Sequence, residues 1–137
     1  MSEATGAEAR ATGADDEAIA LAHTLFDAAR EGNPELLGSY LNAGAPAGMR
    51  TAAGDSLLML AAYHGHAETV QLLLYHGAEA NGANDRGQTP LAGAAFKGYT
   101  EVARVLIDAG ADPDAGAPTA REAARMFART EILELLG

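Results

Sequence analysis

His64-Gly65-His66 places two imidazoles two residues apart, and His76 follows ten residues later. Neutral imidazole is a zinc ligand, so these residue types alone raise a metal-binding reading. A zinc site takes three or four ligands, however, and no third ligand stands at a workable spacing. Cysteine is absent, which removes disulfides, thiolate nucleophiles and cysteine-based zinc sites together. Two carboxylate pairs, Asp15 with Asp16 and Asp112 with Asp114, could serve acid–base chemistry. Both fall at helix starts or in turns, where capping already accounts for them. No Gly-x-Ser-x-Gly, phosphate-binding loop or dinucleotide glycine pattern occurs. The glycine-rich stretches 44–54 and 77–87 read as turns that need positive φ rather than as phosphate cradles. The expectation is a protein that is not an enzyme and carries no cofactor and no metal.

Composition narrows the class further. The 137 residues make one domain. Their formal charge of −10 is uneven, because residues 1–47 hold eight acids against Arg10 and Arg30. A chain of that sign repels phosphate backbones, so no nucleic acid is expected as a partner. A basic surface would be steered toward the N-terminal end. No apolar run nears the roughly 18 residues that span a bilayer, and the start is acidic rather than signal-like. No membrane and a soluble, cytoplasmic location are therefore expected. Lys97 is the only lysine; with abundant alanine and glycine, it points to a GC-rich bacterial genome.

The candidate residues must be held by something, and the glycines show what. Gly32, Gly65 and Gly98 are spaced by 33, as are Gly44, Gly77 and Gly110. Between them the text recurs: Gly65-His-Ala-Glu-Thr-Val-Gln-Leu-Leu-Leu-Tyr-His-Gly77 lies over Gly98-Tyr-Thr-Glu-Val-Ala-Arg-Val-Leu-Ile-Asp-Ala-Gly110. Gly54-Asp-Ser-Leu-Leu-Met-Leu-Ala-Ala62 lies over Gly87-Gln-Thr-Pro-Leu-Ala-Gly-Ala-Ala95. Thr89 suits a helix N-cap and Pro90 the first helical position, whose N–H would be unpaired anyway. Gly65 and Gly98 punctuate a helix-to-helix turn, and Gly77 and Gly110 end the second helix of each unit.

A period of 33 with Gln88-Thr89-Pro90-Leu91, the Gly65-His66 turn and the Gly77-Ala78 and Gly110-Ala111-Asp112 endings resembles the ankyrin repeat. The resemblance covers about residues 17–137. It implies an all-α fold, an α-solenoid of four helix-pair units with short β-hairpin connections. The units are an N-terminal cap at about 15–44, internal repeats at about 45–77 and 78–110, and a C-terminal cap at about 111–137. Residues 1–14, with almost no large apolar side chain, read as a disordered tail. In the first unit Ile19, Ala22, Leu25, Phe26 and Ala29 form one helical stripe, and Ile132, Leu133, Leu135 and Leu136 pack the last helix. Thr119-Ala-Arg-Glu122 fits a capping box. Ahead of it the chain is three residues short (Gly110 to Thr119 against Gly77 to Thr89), so the last finger is expected to be incomplete.

Some positions depart from the family pattern. Met59 and Ala92 stand where the family carries histidine, Ser56-Leu57 replaces Thr-Pro, and Arg121 takes the place of a buried leucine.

The resemblance also implies a function: binding another protein on the concave side formed by the fingers and the first helix of each pair. The side chains just before the inter-helix turn are Arg30, Glu31, Tyr63, His64, Phe96, Lys97, Met126 and Phe127. The fingers add Met49, Arg50, Thr51, Asn84, Asp85 and Arg86. Tyr63, Phe96 and Phe127 stand out in a chain with four tyrosines and three phenylalanines, because exposed aromatics mark interface cores. The expected role is regulator, scaffold or protective partner, monomeric alone. Two other readings stay open: a self-associating assembly protein, and an acidic immunity-type inhibitor of a basic toxin or enzyme.

Overall fold

Short polar side chains cap four of the helix starts. Ser56 accepts from the Met59 N–H at 3.0 Å and Thr89 from the Ala92 N–H at 3.1 Å. At Thr119 the box closes both ways: its hydroxyl accepts from Glu122 N–H at 3.0 Å, and Glu122 Oε1 accepts from Thr119 N–H at 2.9 Å. Asn33 accepts from Leu36 N–H with Pro34 in the first helical turn. Each satisfies a donor the helix itself leaves unpaired.

The protein's structure is a computed structural model that describes backbone from residue 2 and side chains from residue 16 onward. The side chains of the disordered tail expected over residues 1–14 lie outside those described, and its backbone from Ser2 belongs to the first helix. The helices are α1 (Ser2–Glu31), α2 (Pro34–Asn42), α3 (Leu57–Tyr63), α4 (Ala67–Tyr75), α5 (Pro90–Lys97), α6 (Thr100–Asp108), α7 (Ala120–Met126) and α8 (Thr130–Leu136). They pair as antiparallel hairpins and stack in two rows. The odd-numbered helices touch in series as an inner row, and α2, α4, α6 and α8 touch in series behind them. Among the described residues there is no strand. The first finger carries one antiparallel bridge, Arg50 to Ser56, and the second is closed by Asn84 N–H to the Gln88 carbonyl at 2.9 Å. The shortened last connection is closed differently: Arg121 N–H donates to the Pro113 carbonyl at 3.2 Å, and Ala117 N–H donates to the Gly87 carbonyl at 3.0 Å.

The core runs between the rows. Leu25, Leu37, Leu57, Leu58, Leu73, Leu91 and Leu106 are sealed from solvent, each such burial stabilising by about 1.5–3 kcal/mol. In the last unit the core tapers to Ala120, Ala123, Ala124 and Ile132, while Leu133, Leu135 and Leu136 are only partly covered. The first stripe is shorter than its pattern. Leu25, Phe26 and Ala29 are buried, but Ile19 is 53% exposed, because α1 extends past the elements that could cover it. Arg121, in the leucine position, turns outward to Asp114 at 3.0 Å and to the Gly137 carbonyl at 2.8 Å.

Neighbouring units are clipped together after the inter-helix glycine. His66 Nε2 lies 2.7 Å from the Arg30 carbonyl oxygen and donates to it. Arg129, thirty residues after Tyr99, donates to the Phe96 carbonyl at 2.9 Å. These side chains lie over the glycine of the preceding unit. A Cβ on Gly65 would come within 3.0 Å of the Tyr99 ring, and one on Gly98 within 2.9 Å of the Arg129 guanidinium. Gly65 and Gly98 also have φ of 81°, so conformation and crowding both demand glycine there. The last unit places Ala128 at this position, with φ 53°, the one positive φ outside glycine among the described residues.

The fingers interlock as well. Asp85 N–H donates to the Ala53 carbonyl at 3.1 Å, and Asp112 N–H to Asn81 Oδ1 at 2.7 Å. Arg50 Nη1 donates to both the Gly54 and the Ala83 carbonyls at 2.8 Å.

Candidate functional site

The ends of α3, α5 and α7 carry aromatic side chains onto one surface. The Tyr63 and Phe96 rings are nearly parallel, 9° apart with centroids 6.5 Å distant. Phe96 then meets Phe127 edge to face at 4.8 Å and 87°. Both geometries suit the quadrupoles of the rings. Tyr63 is half-buried, whereas Phe96 and Phe127 are exposed by 42% and 41%. Neither Phe127 nor Met126 closes the end of the core: Phe127 extends the aromatic row, and Met126 stands out in solvent.

Cations rim this row. Lys97 Nζ is 5.1 Å from the Tyr63 ring centroid and 6.0 Å from that of Tyr99, within cation–π range. The Arg129 guanidinium lies 5.9 Å from the Phe127 centroid. His64 packs edge to face on Tyr63 at 5.8 Å. Partial burial, with the positive charges of His66, Lys97 and Arg30, holds the His64 imidazole below its ordinary pKa.

Two depressions open between the second finger and the inner helices. One of about 290 Å³ is lined by Asp55, Met59, Leu60, Tyr63, His64, Arg86 and Gln88. The second, of about 120 Å³, shares Met59, Tyr63 and Gln88 and adds Ala92, Gly93, Phe96 and Pro118. Gly93 keeps this floor low, since a Cβ there would come within 3.2 Å of the Tyr63 ring and 3.3 Å of the Met59 methyl. Met59 and Ala92 are the two residues that replace the family's histidine. Their departure from the pattern was the one sequence signal for this floor; Gly93, Gln88 and Pro118 gave none.

The remaining site residues divide by what they are already bonded to. Asn84 is buried, at 7% exposure. Its Nδ2 donates to Asp55 Oδ1 and Gln88 Oε1, and its Oδ1 accepts from the Arg86 and Gln88 N–H groups. Nothing of Asn84 is left to offer a partner; it holds the finger's turn. Arg50, expected as a free contact, is likewise committed to the two carbonyls of its own and the next finger. Met49 packs against the core, and half-buried Thr51 accepts from Asp55 N–H at 3.2 Å. Asp85 and Arg86 are exposed at the finger tip. At the first unit Glu31 is exposed and Arg30 pairs with Asp27 at 3.0 Å.

His64, His66 and His76 do not converge with carboxylates; among the described residues no three His, Asp or Glu side chains stand together in coordinating range. No described helix is long and apolar enough to cross a membrane.

Compared with known proteins, residues 25–117 match a family model of ankyrin repeats in three copies. A curated Pseudomonas aeruginosa protein, named as an ankyrin repeat protein, is 49% identical over 49 residues. That match takes in 36% of this chain and 29% of the relative's length.

Proposed function

Because the chain belongs to the ankyrin-repeat family, whose arrays are protein-interaction modules, we propose that it binds a partner protein on the surface bearing Tyr63, Phe96 and Phe127. The observation that carries this reading is the aromatic row itself. A monomer gains little from leaving two phenylalanines exposed side by side, and clustered aromatics beside a pocket are the composition of a binding hot spot. Fold alone would not locate the site, so the reading rests on these side chains. Asp85, Arg86, His64 and Lys97 form its polar rim, with Met126 beyond Phe127. Asn84 holds its finger from within, and Arg50 ties the two fingers together at the surface. With two full fingers, the contact should cover about 800 Å² of this chain or less.

The test is an affinity capture from native lysate with the wild-type chain and a Tyr63→Ala, Phe96→Ala double variant in parallel. A protein held by the wild type and lost by the folded variant supports the aromatic surface. A partner held equally by both would sink it.

A second reading rests on the first unit, where Asp16, Glu17, Asp27, Glu31 and Glu35 are all exposed. This acidic end suits a basic partner, as an inhibitor of a cationic protein would require. Such a complex would weaken steeply with salt and ignore the aromatic substitutions.

A further inference from the structure

Asparagine occurs at positions 33, 42, 81 and 84, and Asn81 alone is followed by glycine. That pair is chemically weak. The backbone nitrogen of the next residue can attack an asparagine's side-chain carbonyl carbon, and a glycine has no Cβ to shield it. The other three asparagines are guarded. Pro34 after Asn33 offers a nitrogen with no hydrogen to lose. Ala43 and Asp85, which follow Asn42 and Asn84, carry a Cβ beside theirs. Asn84 is also buried, with its side-chain amide fully bonded.

The fold leaves Asn81 within reach of water but ties it down. It is exposed, between α4 and the second finger, as third residue of a turn that Gly82 N–H closes on the Glu79 carbonyl at 3.2 Å. Its φ is negative, as in a type I turn, where ψ at this position is about 0°. Attack needs the Gly82 nitrogen rotated to the Cβ side of Asn81, so the turn must open first. Gly82 is buried against Arg50, which resists that rotation. Asn81 Oδ1 also accepts from Asp112 N–H at 2.7 Å, joining the second internal repeat to the last connection. Swinging the side chain onto Gly82 breaks this bond too.

We propose that Asn81–Gly82 is a self-modification site, held closed by the packing of the last connection against it and released when that tie opens. The Gly82 nitrogen bonds to Asn81 Cγ, the Cγ–Nδ2 bond breaks, and the Gly82 proton leaves with the amide as ammonia. Water then opens the resulting succinimide at either carbonyl. One opening gives aspartate; the other gives isoaspartate, whose main chain runs through the side-chain methylene. One water enters and one ammonia departs, with no oxidant or reductant. Aspartate keeps an oxygen for Asp112 N–H, whereas isoaspartate draws that oxygen into a lengthened backbone and gives up the tie. The site stands apart from the aromatic surface, whose depressions none of these residues lines.

The test ages the full chain at mildly alkaline pH, native and in guanidinium chloride, and follows each asparagine by peptide mass spectrometry. Isoaspartate is scored with a methyltransferase specific for it. Asn81 should convert first of the four in both states, and roughly tenfold or more slowly in the native chain, where two hydrogen bonds must break. Amide exchange at Asp112 should quicken in the aged chain and stay unchanged in Asn81→Asp. Equal rates in the native and unfolded chains, or unchanged exchange at Asp112 after ageing, would overturn the tie. No conversion at Asn81, or earlier conversion at another asparagine, would overturn the site itself.

Discussion

The Phe96 and Phe127 rings meet at near right angles with 4.8 Å between centroids, joining α5 to the end of α7 at the surface rather than in the core. The contact stabilises the stack modestly while leaving ring area open. Phe96→Ala should therefore cost about 1–2 kcal/mol, the worth of its aromatic contacts and partial burial. Leu73→Ala, at a fully buried site, should cost about 2–5 kcal/mol through the cavity it leaves. Urea denaturation of the two variants measures both. Equal losses would show that Phe96 is a core residue.

Ala128 sits where the other units have glycine, and its φ of 53° is left-handed. An L-residue in that region costs about 1–2 kcal/mol. Ala128→Gly should raise stability by about 1 kcal/mol, less the entropy glycine adds to the unfolded chain. No gain in urea midpoint would mean that the turn is not strained.

Gly65 and Gly77 both have positive φ, at 81° and 91°. Only Gly65 is crowded, by the Tyr99 ring; around Gly77 a Cβ would meet nothing within 4 Å. Gly77→Ala should cost about 1–2 kcal/mol from backbone strain alone, and Gly65→Ala distinctly more. The excess should vanish in a Tyr99→Ser background. A double-mutant cycle showing no coupling between residues 65 and 99 would reject the clash.

Arg50→Met removes two charge-assisted hydrogen bonds to carbonyls and should cost about 1–2 kcal/mol. Amide exchange should quicken in both fingers, at residues 50–56 and 83–88. Arg86→Met, at the exposed tip, should change stability by less than about 0.5 kcal/mol. Equal effects would show that the clasp between fingers carries no weight.

His64 provides a pH signature. Burial and its positive neighbours lower its folded pKa below the unfolded value, so the folded state favours the neutral ring. Its contribution is intact above about pH 6.5 and is lost as pH falls through the lowered value. Between about pH 7.5 and 5, the wild type should lose stability relative to His64→Gln, by a small amount because the ring is exposed. Parallel urea midpoints for the two proteins across that range would argue against it.

The fold was legible because a repeat writes its rules several times. Thr89, Ser56 and Thr119 announce helix starts, and the spacing of Gly65 and Gly98 announces the turns; each needs only local chemistry. The aromatic row was legible for the same reason, since Tyr63 and Phe96 occupy one register. What stayed hidden depends on how far one unit slides along the next. Arg50 reaches the Ala83 carbonyl across 33 residues, and Asn84 reaches Asp55 across 29. No local pattern distinguishes such committed side chains from free ones. Ile19 fits its stripe but lacks a covering neighbour, and Gly93 looks like a weak helix former until Tyr63 and Met59 are seen above it.

The clips between units share an orientation. His66, Asp85, Asp112, Ala117 and Arg129 all supply the donor, and each acceptor lies in the preceding unit: Arg30, Ala53, Asn81, Gly87 and Phe96. Arg50 alone donates forward among these ties. A ribosome releases the acceptors first. During synthesis each hairpin therefore emerges onto a docking edge that is already assembled, and the array can grow vectorially, one notch at a time. Disassembly should run the other way, each unit letting go of the acceptors it grips before the unit that offers them can leave.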